Sequence, residues 1–137
     1  MRLQRAEVIH TSILAAREEV VDFLVDMHNW KSWAPWIGSV TRVSDRDWAL
    51  ETDVGSMKVH FVDQSCVGLL DHEVTLESGV RVLNGMHVLP NGSGSELVMT
   101  VFQSPDVSTE EFERDIQAVR ADLARIKKVV EARTTVV

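Results

Sequence analysis

Apolar positions recur along the chain at two different periods, and the switch between them divides it into elements. Over Glu7–Leu14, Val8, Ile9, Ile13 and Leu14 mix with Thr11 and Ser12, which predicts a first strand. The period then lengthens. Val20, Phe23, Leu24 and Met27 fall at i, i+3, i+4 and i+7, on one face of a helix. Glu18 and Glu19 sit in its first turn, where the helix dipole favours negative charge, but no convincing N-cap precedes them. The run Asn29-Trp30-Lys31-Ser32-Trp33-Ala34-Pro35-Trp36 follows, with its tryptophans spaced by three along one side of a tight helical turn. Pro35 rules against a longer helix there.

From Gly38 to Gln103 the pattern is strand after strand. Turn signals lie near Asp45-Arg46-Asp47, Gly55-Ser56, Val67-Gly68, Ser78-Gly79 and Pro90-Asn91-Gly92-Ser93-Gly94. Asn91-Gly92 is a hairpin signal because both residues tolerate positive φ. About six strands are predicted, and connections this short permit only antiparallel neighbours.

The final element is a helix. Ser108-Thr109-Glu110-Glu111 is a capping box, and Val107 can staple onto Phe112. Phe112, Ile116, Val119, Leu123, Ile126 and Val130 continue as an apolar stripe, with acids crowding the start and bases the end. At 1.5 Å per residue, about 24 residues span roughly 36 Å, long enough to cross several strands. The order therefore predicts an α+β domain: a curved antiparallel sheet of about seven strands wrapped on a long C-terminal helix, with two short helices after the first strand. A twisted sheet cannot touch a straight helix everywhere, and the gap is a natural small-molecule pocket.

Strand parity nominates its lining. Leu70, His72, Val74 and Leu76 share the apolar face of one strand; Val82, Asn84, Met86 and Val88 share that of the next. Leu97, Met99, Val101 and Gln103 face in from the last strand, and Ile9, Thr11 and Ile13 from the first. Trp48, Leu50 and Val54, then Met57, Val59, Phe61 and Asp63, complete the set, with His60 and His87 outward. Thr11, Asp63, His72, Asn84 and Gln103 are thus polar groups on an apolar lining, where a few such groups orient a ligand. His72 is the candidate general acid or base, since an imidazole titrates near neutrality, although an inward histidine is also a common hydrogen-bonded core residue. Trp33 and Trp36 either wall a mouth on which aromatic ligands stack or, with Trp30, plug one end of the core. Of the helix stripe, Phe112, Ile116 and Val119 are the candidate cavity residues.

Composition narrows the class. A chain of 137 residues with 45% apolar residues is one domain, read as 1–137 with 134–137 a disordered tail. Net charge is −7, so bulk charge does not favour nucleic acid as a partner. Nothing approaches the ~18 apolar residues of a membrane span, and the start lacks a signal-peptide core. Cys66 is the single cysteine, which fits a reducing, cytoplasmic setting and precludes a multi-cysteine zinc site; no metal or cofactor is expected. Asn91-Gly92-Ser93-Gly94 leads into a strand rather than a helix, so it is no phosphate loop.

The stretches Ile13-Leu14-Ala15-Ala16-Arg17-Glu18-Glu19-Val20, Asn29 to Trp36, and Asp106-Val107-Ser108-Thr109-Glu110-Glu111-Phe112 resemble the START-like (SRPBCC) helix-grip superfamily. That group includes polyketide cyclases and dehydrases, lipid-transfer domains and pollen-allergen-like proteins. The resemblance runs from about Glu7 to Ala132 and implies a cavity between helix and sheet for an apolar or aromatic ligand. Several cyclases of the group carry tyrosine and arginine in the cavity; this chain has no tyrosine, which weakens a cyclase reading. Three functions follow: a binder of a small hydrophobic or aromatic, polyketide- or lipid-like molecule; a cyclase or dehydratase using His72; or a protein-interaction module with a filled interior. Sheet edges leave both monomer and homodimer open.

Overall fold

The computed structural model describes residues 2–62 and 67–134. The strand β1 (Ala6–Ile13) leads to helix α1 (Arg17–Val25) and a 3-10 helix (Met27–Ser32). Six strands follow: β2 (Ile37–Arg42), β3 (Asp47–Thr52), β4 (Gly55–Phe61), β5 (His72–Leu76), β6 (Arg81–Asn91) and β7 (Gly94–Phe102). Helix α2 (Thr109–Thr134) is the last described element. All seven strands form one antiparallel sheet in the order β1-β7-β6-β5-β4-β3-β2, so the meander closes by bringing β1 beside β7. The α+β helix-grip architecture expected from the sequence is the one observed. Asp63 and Cys66 lie outside the described residues, as does the expected tail beyond Thr134, which is itself still helical.

Local chemistry accounts for the element ends. The Ser108 hydroxyl accepts the Glu111 amide at 3.1 Å, so α2 begins at its capping box. Helix α1 starts after Ala16 with no side-chain cap, whereas the Asp26 carboxylate accepts the His28 amide at 3.0 Å and starts the 3-10 helix. The β6–β7 turn differs from expectation. Asn91 pairs with Gly94, so Gly92-Ser93 are the two central residues and Gly92 alone has positive φ, +59°. That is the turn form in which glycine is needed only at the first central position. Val54 also departs from the reading: it sits in the β3–β4 turn and is 77% exposed, because the strand ends at Thr52 before its parity applies.

Helix α2 does not cross the strands as its length suggested; it runs along β1. Arg5 donates to Glu113 at 2.8 Å at one end. At the other, Lys127 donates to the Ser12 carbonyl at 2.6 Å and Glu131 accepts the Leu14 amide at 2.7 Å. The spacings agree, since Arg5 to Ser12 spans about 24 Å of strand and Glu113 to Lys127 about 21 Å of helix. The sheet is about 29 Å across and a helix only about 10 Å wide, so α2 cannot shield the whole inward face. The rest of the cover is shared, with α1 packing on β6 and β7 and the 3-10 helix on β2. Ile9, Ile13, Leu97 and Met99 share one buried core with Phe112, Ile116, Leu123 and Ile126 of α2.

Leu123→Ala is expected to cost about 2–5 kcal/mol through the cavity it leaves, and Ser108→Ala about 1 kcal/mol through the lost cap. Urea unfolding of both variants checks this; a larger loss at the cap than at Leu123 would contradict the packing described.

Candidate functional site

Register decides what the inward face presents. Trp48, Val59, Val74 and Val82 form one cross-strand row, and Leu50, Met57 and Leu76 a second. Phe61, His72 and Asn84 form a third. Toward β2 and β3 the rows are closed: Trp48, Leu50, Val59, Phe61 and His72 are all buried. Met86, Val88, Leu97 and Met99 are buried on β6 and β7 as well, whereas Met57, Val74, Leu76, Val82, Asn84 and Val101 are only half-buried. Val119 on α2 is half-buried as well, while Phe112 and Ile116 are fully enclosed. Val74, Val82 and Val101 are thus inward aliphatic side chains that remain only partly covered.

Trp30 seals one end of this face. Its ring lies 5.0 Å from Trp33, 6.4 Å from Phe61 and 5.5 Å from His72, and its indole N–H donates to the Leu24 carbonyl at 2.9 Å. Trp33 is also buried and is tied to α2, because the Arg125 Nε donates to its carbonyl at 2.8 Å. Trp36 is half-buried at the edge of the same cluster, and its carbonyl accepts the Asp53 amide at 3.1 Å. Trp48 faces in from β3 with its ring edge on His28 at 5.2 Å and Arg42 over its face at 5.9 Å.

His72 is 2% exposed. Its Nδ1 lies 3.0 Å from the Leu70 carbonyl, which can only accept, so Nδ1 carries the hydrogen and Nε2 the lone pair. Burial pushes its pKa below 6.5, outweighing the Leu70 carbonyl, and the ring is neutral. A neutral imidazole can act as a base, but Trp30 and Phe61, 5.6 Å away, wall this one in.

The remaining polar candidates have different fates. Asn84 stands opposite His72, half-buried, and its side chain makes no hydrogen bond among the described residues. The Gln103 amide instead donates to the Val107 carbonyl at 2.9 Å and braces the β7–α2 connection. Thr11 lies inward, half-buried, opposite Leu97. Met86 is buried between Met99 and the Leu70 segment, whose amide donates to the Met86 carbonyl at 2.8 Å. His60 points outward as expected and bonds Asp47 at 2.8 Å.

Asp122 is a residue that strand parity does not nominate. It is held by Arg125 at 2.6 Å, and burial raises its pKa against the pull of that guanidinium. Its position, three after Val119 and four before Ile126, puts it on the rim of the inward stripe, a signal present in the sequence. Clefts of about 600 and 450 Å³ open elsewhere, the first between the 3-10 helix and α2 by Ser32, Lys128 and Val129, the second between α1 and α2 by Asp22 and Arg133. Both are outside the inward face, and charged side chains edge both.

The His72 environment predicts a pH dependence. The unfolded chain takes up a proton near pH 6.5 where the folded one does not, so this contribution is complete above that value and is lost as pH falls below it. The slope reaches at most about 1.4 kcal/mol per pH unit. Urea midpoints between pH 7.5 and 5.5 should fall less steeply for His72→Gln than for the wild type; parallel curves would show that the histidine is not held neutral.

No protein-family model and no curated protein matches the chain. Solved structures do. A START superfamily protein from Mycobacterium smegmatis is 12% identical, with a TM-score of 0.71 over 93% of this chain and 97% of that one. Ara h 8.0201 gives 12% identity and a TM-score of 0.71 over 93% and 97%. DynU16, a protein from the dynemicin biosynthetic locus, gives 13% and 0.73 over 92% of this chain and 47% of its own. Identities this low speak to fold alone. No helix among the described residues is long and apolar enough to cross a membrane. The chain has the helix-grip fold that it shares with these solved structures.

Proposed function

We propose that the chain binds a small hydrophobic or aromatic molecule, of polyketide or lipid-like character, in the groove between the sheet and α2. The observation that carries this reading is the half-burial of Met57, Val74, Leu76, Val82 and Val101, a contiguous apolar set on a face that is otherwise closed. Removing such surface from water contributes about 25 cal/mol per Å², so an apolar occupant is stabilised where water is not. Free polar groups are few there, with the Asn84 amide the clearest among the described residues, which suits orientation of an apolar ligand rather than recognition of a charged one. Neighbours of the same fold support the class: one is a START superfamily protein and another comes from a biosynthetic locus.

Binding is favoured over catalysis because the titratable side chain buried on this face, His72, has its Nδ1 hydrogen committed to Leu70 and its ring flanked by Trp30 and Phe61. A proton shuttle must reach the reacting atom within hydrogen-bond distance. His72 therefore serves as wall rather than reagent in this reading.

N-Phenyl-1-naphthylamine, a neutral probe that fluoresces on entering an apolar site, should bind the wild type saturably. Val74→Trp fills the groove floor and should weaken binding at least about tenfold, which corresponds to about 1.4 kcal/mol. Far-ultraviolet circular dichroism should show that the fold survives. Wild-type affinity in that variant would place the probe elsewhere and overturn the reading.

A further inference from the structure

The cations near the end of α2 are more numerous than the helix dipole explains. Arg133 lies in the last turn, where a positive charge offsets the dipole, but that effect fades within one turn. Arg125, Lys127 and Lys128 lie further back, and the fold engages only two of them. Lys127 donates to the Ser12 carbonyl at 2.6 Å and to Glu131 at 2.8 Å. Arg125 donates to the Trp33 carbonyl at 2.8 Å and to Asp122 at 2.6 Å. Lys128 is exposed and makes no hydrogen bond or ion pair among the described residues. Arg125, Lys128, Val129, Ala132 and Arg133 are linked by steps of three and four, so they share one side of the helix. That side meets the 3-10 helix across the cleft of about 600 Å³, whose remaining lining residue is Ser32. A cleft of this volume is the size of a small-molecule site. Val129 is half-buried and packs on the core, so with the Ala132 methyl it forms an apolar base beneath three cationic side chains. Among the described residues no acidic side chain lines the cleft, in a chain where 21 acidic residues outnumber 14 basic ones.

We propose that this cleft is a second binding site, separate from the groove on the sheet, for a compact anionic amphiphile: one carboxylate or sulfonate on an apolar body. Charge balance selects the sign. Asp122 offsets Arg125, whereas Lys128 and Arg133 have no acidic partner among the described residues. Arg133 stacks on the Phe23 ring at 4.9 Å, and its hydrogen bond goes to the neutral Asn29 side chain at 3.4 Å. Two positive charges are therefore uncompensated at the cleft. The negative end of the helix dipole acts at Arg133 and spares Lys128 and Arg125, which lie more than a turn away. Arg125 is the preorganised member, because its two contacts fix the planar guanidinium while its other N–H groups remain to donate to an oxyanion. A cationic ligand would meet like charge, and a neutral one gains only the small apolar base of Val129 and Ala132. An amphiphilic anion uses both.

N-Phenyl-1-naphthylamine and its sulfonated form, 8-anilino-1-naphthalenesulfonate, share one ring skeleton and differ in charge, so together they separate the two sites. The sulfonate should bind the wild type saturably without displacing the neutral probe, and its affinity should fall as salt rises. Lys128→Gln should weaken it roughly threefold, and Lys128→Gln with Arg133→Gln roughly tenfold, while the neutral probe binds as before. Val74→Trp should leave the sulfonate's affinity unchanged. Carbon–proton correlation spectra should show the Val129 and Ala132 methyl signals moving with the sulfonate. If the double variant keeps wild-type affinity for the sulfonate, or if Val74→Trp abolishes its binding, the anion does not occupy this cleft and the inference fails alone. Absence of saturable sulfonate binding overturns it as well. If the sulfonate behaves as expected and the neutral probe does not bind, the groove reading falls and this site stands. Lys128→Gln removes no contact within the fold, so it decides by itself should the double variant prove unstable.

Discussion

A sheet seven strands wide presents one apolar face broader than a single helix can shield. That mismatch governs this molecule. Helix α2 is fixed lengthwise to β1 by Arg5–Glu113 at one end and by Lys127 on the Ser12 carbonyl at the other, so its cover is spent on β1 and its neighbours. The inward face from β6 to β2 must then be covered by something else. The 3-10 helix and the tryptophan run close the β2–β3 side with aromatic rings, and the stretch holding Val74, Val82 and Val101 is left only half-buried. Closing it with more side chains would require larger residues than Val74, Val82 and Val101.

Trp30 is where this division is enforced. It joins α1, through the Leu24 carbonyl, to β4 and β5, through Phe61 and His72. The same crowding that seals that end desolvates His72, holds it neutral and places the Trp33 and Trp48 indoles where the backbone offers them no acceptor. Burial is therefore uneven along the face, complete at the tryptophans and partial at the valines. Packing and the proposed function diverge along that gradient: rings on one side stabilise the fold, and the half-exposed aliphatic groups on the other are the proposed ligand surface.

Much of this is legible in the amino-acid sequence. The capping box at Ser108, the stripe from Phe112 to Val130 and the parity that turns His72, Asn84 and Met86 inward are local signals, readable because a helix repeats every 3.6 residues and a strand every two. Long-range relations are not. Nothing in the stripe says that α2 follows β1 rather than crossing it, because the tethers link Arg5 to Glu113 and Ser12 to Lys127 across most of the chain. Parity makes Gln103 a groove residue, yet its amide braces the β7–α2 connection, a role set by loop geometry. Asp122 is visible by helical spacing but masked by the charge-rich context of its helix. The unpaired indoles have no sequence signal at all, since whether a donor finds an acceptor depends on atoms brought together only by folding.

The most direct test of the central claim is to locate a bound apolar probe by proton–proton Overhauser contacts to assigned valine methyl groups. The account predicts contacts from N-phenyl-1-naphthylamine to Val74, Val82, Val101 and Val119. Contacts instead to Val129, in the cleft between α2 and the 3-10 helix, or to Val21 and Val25 on α1, would contradict it.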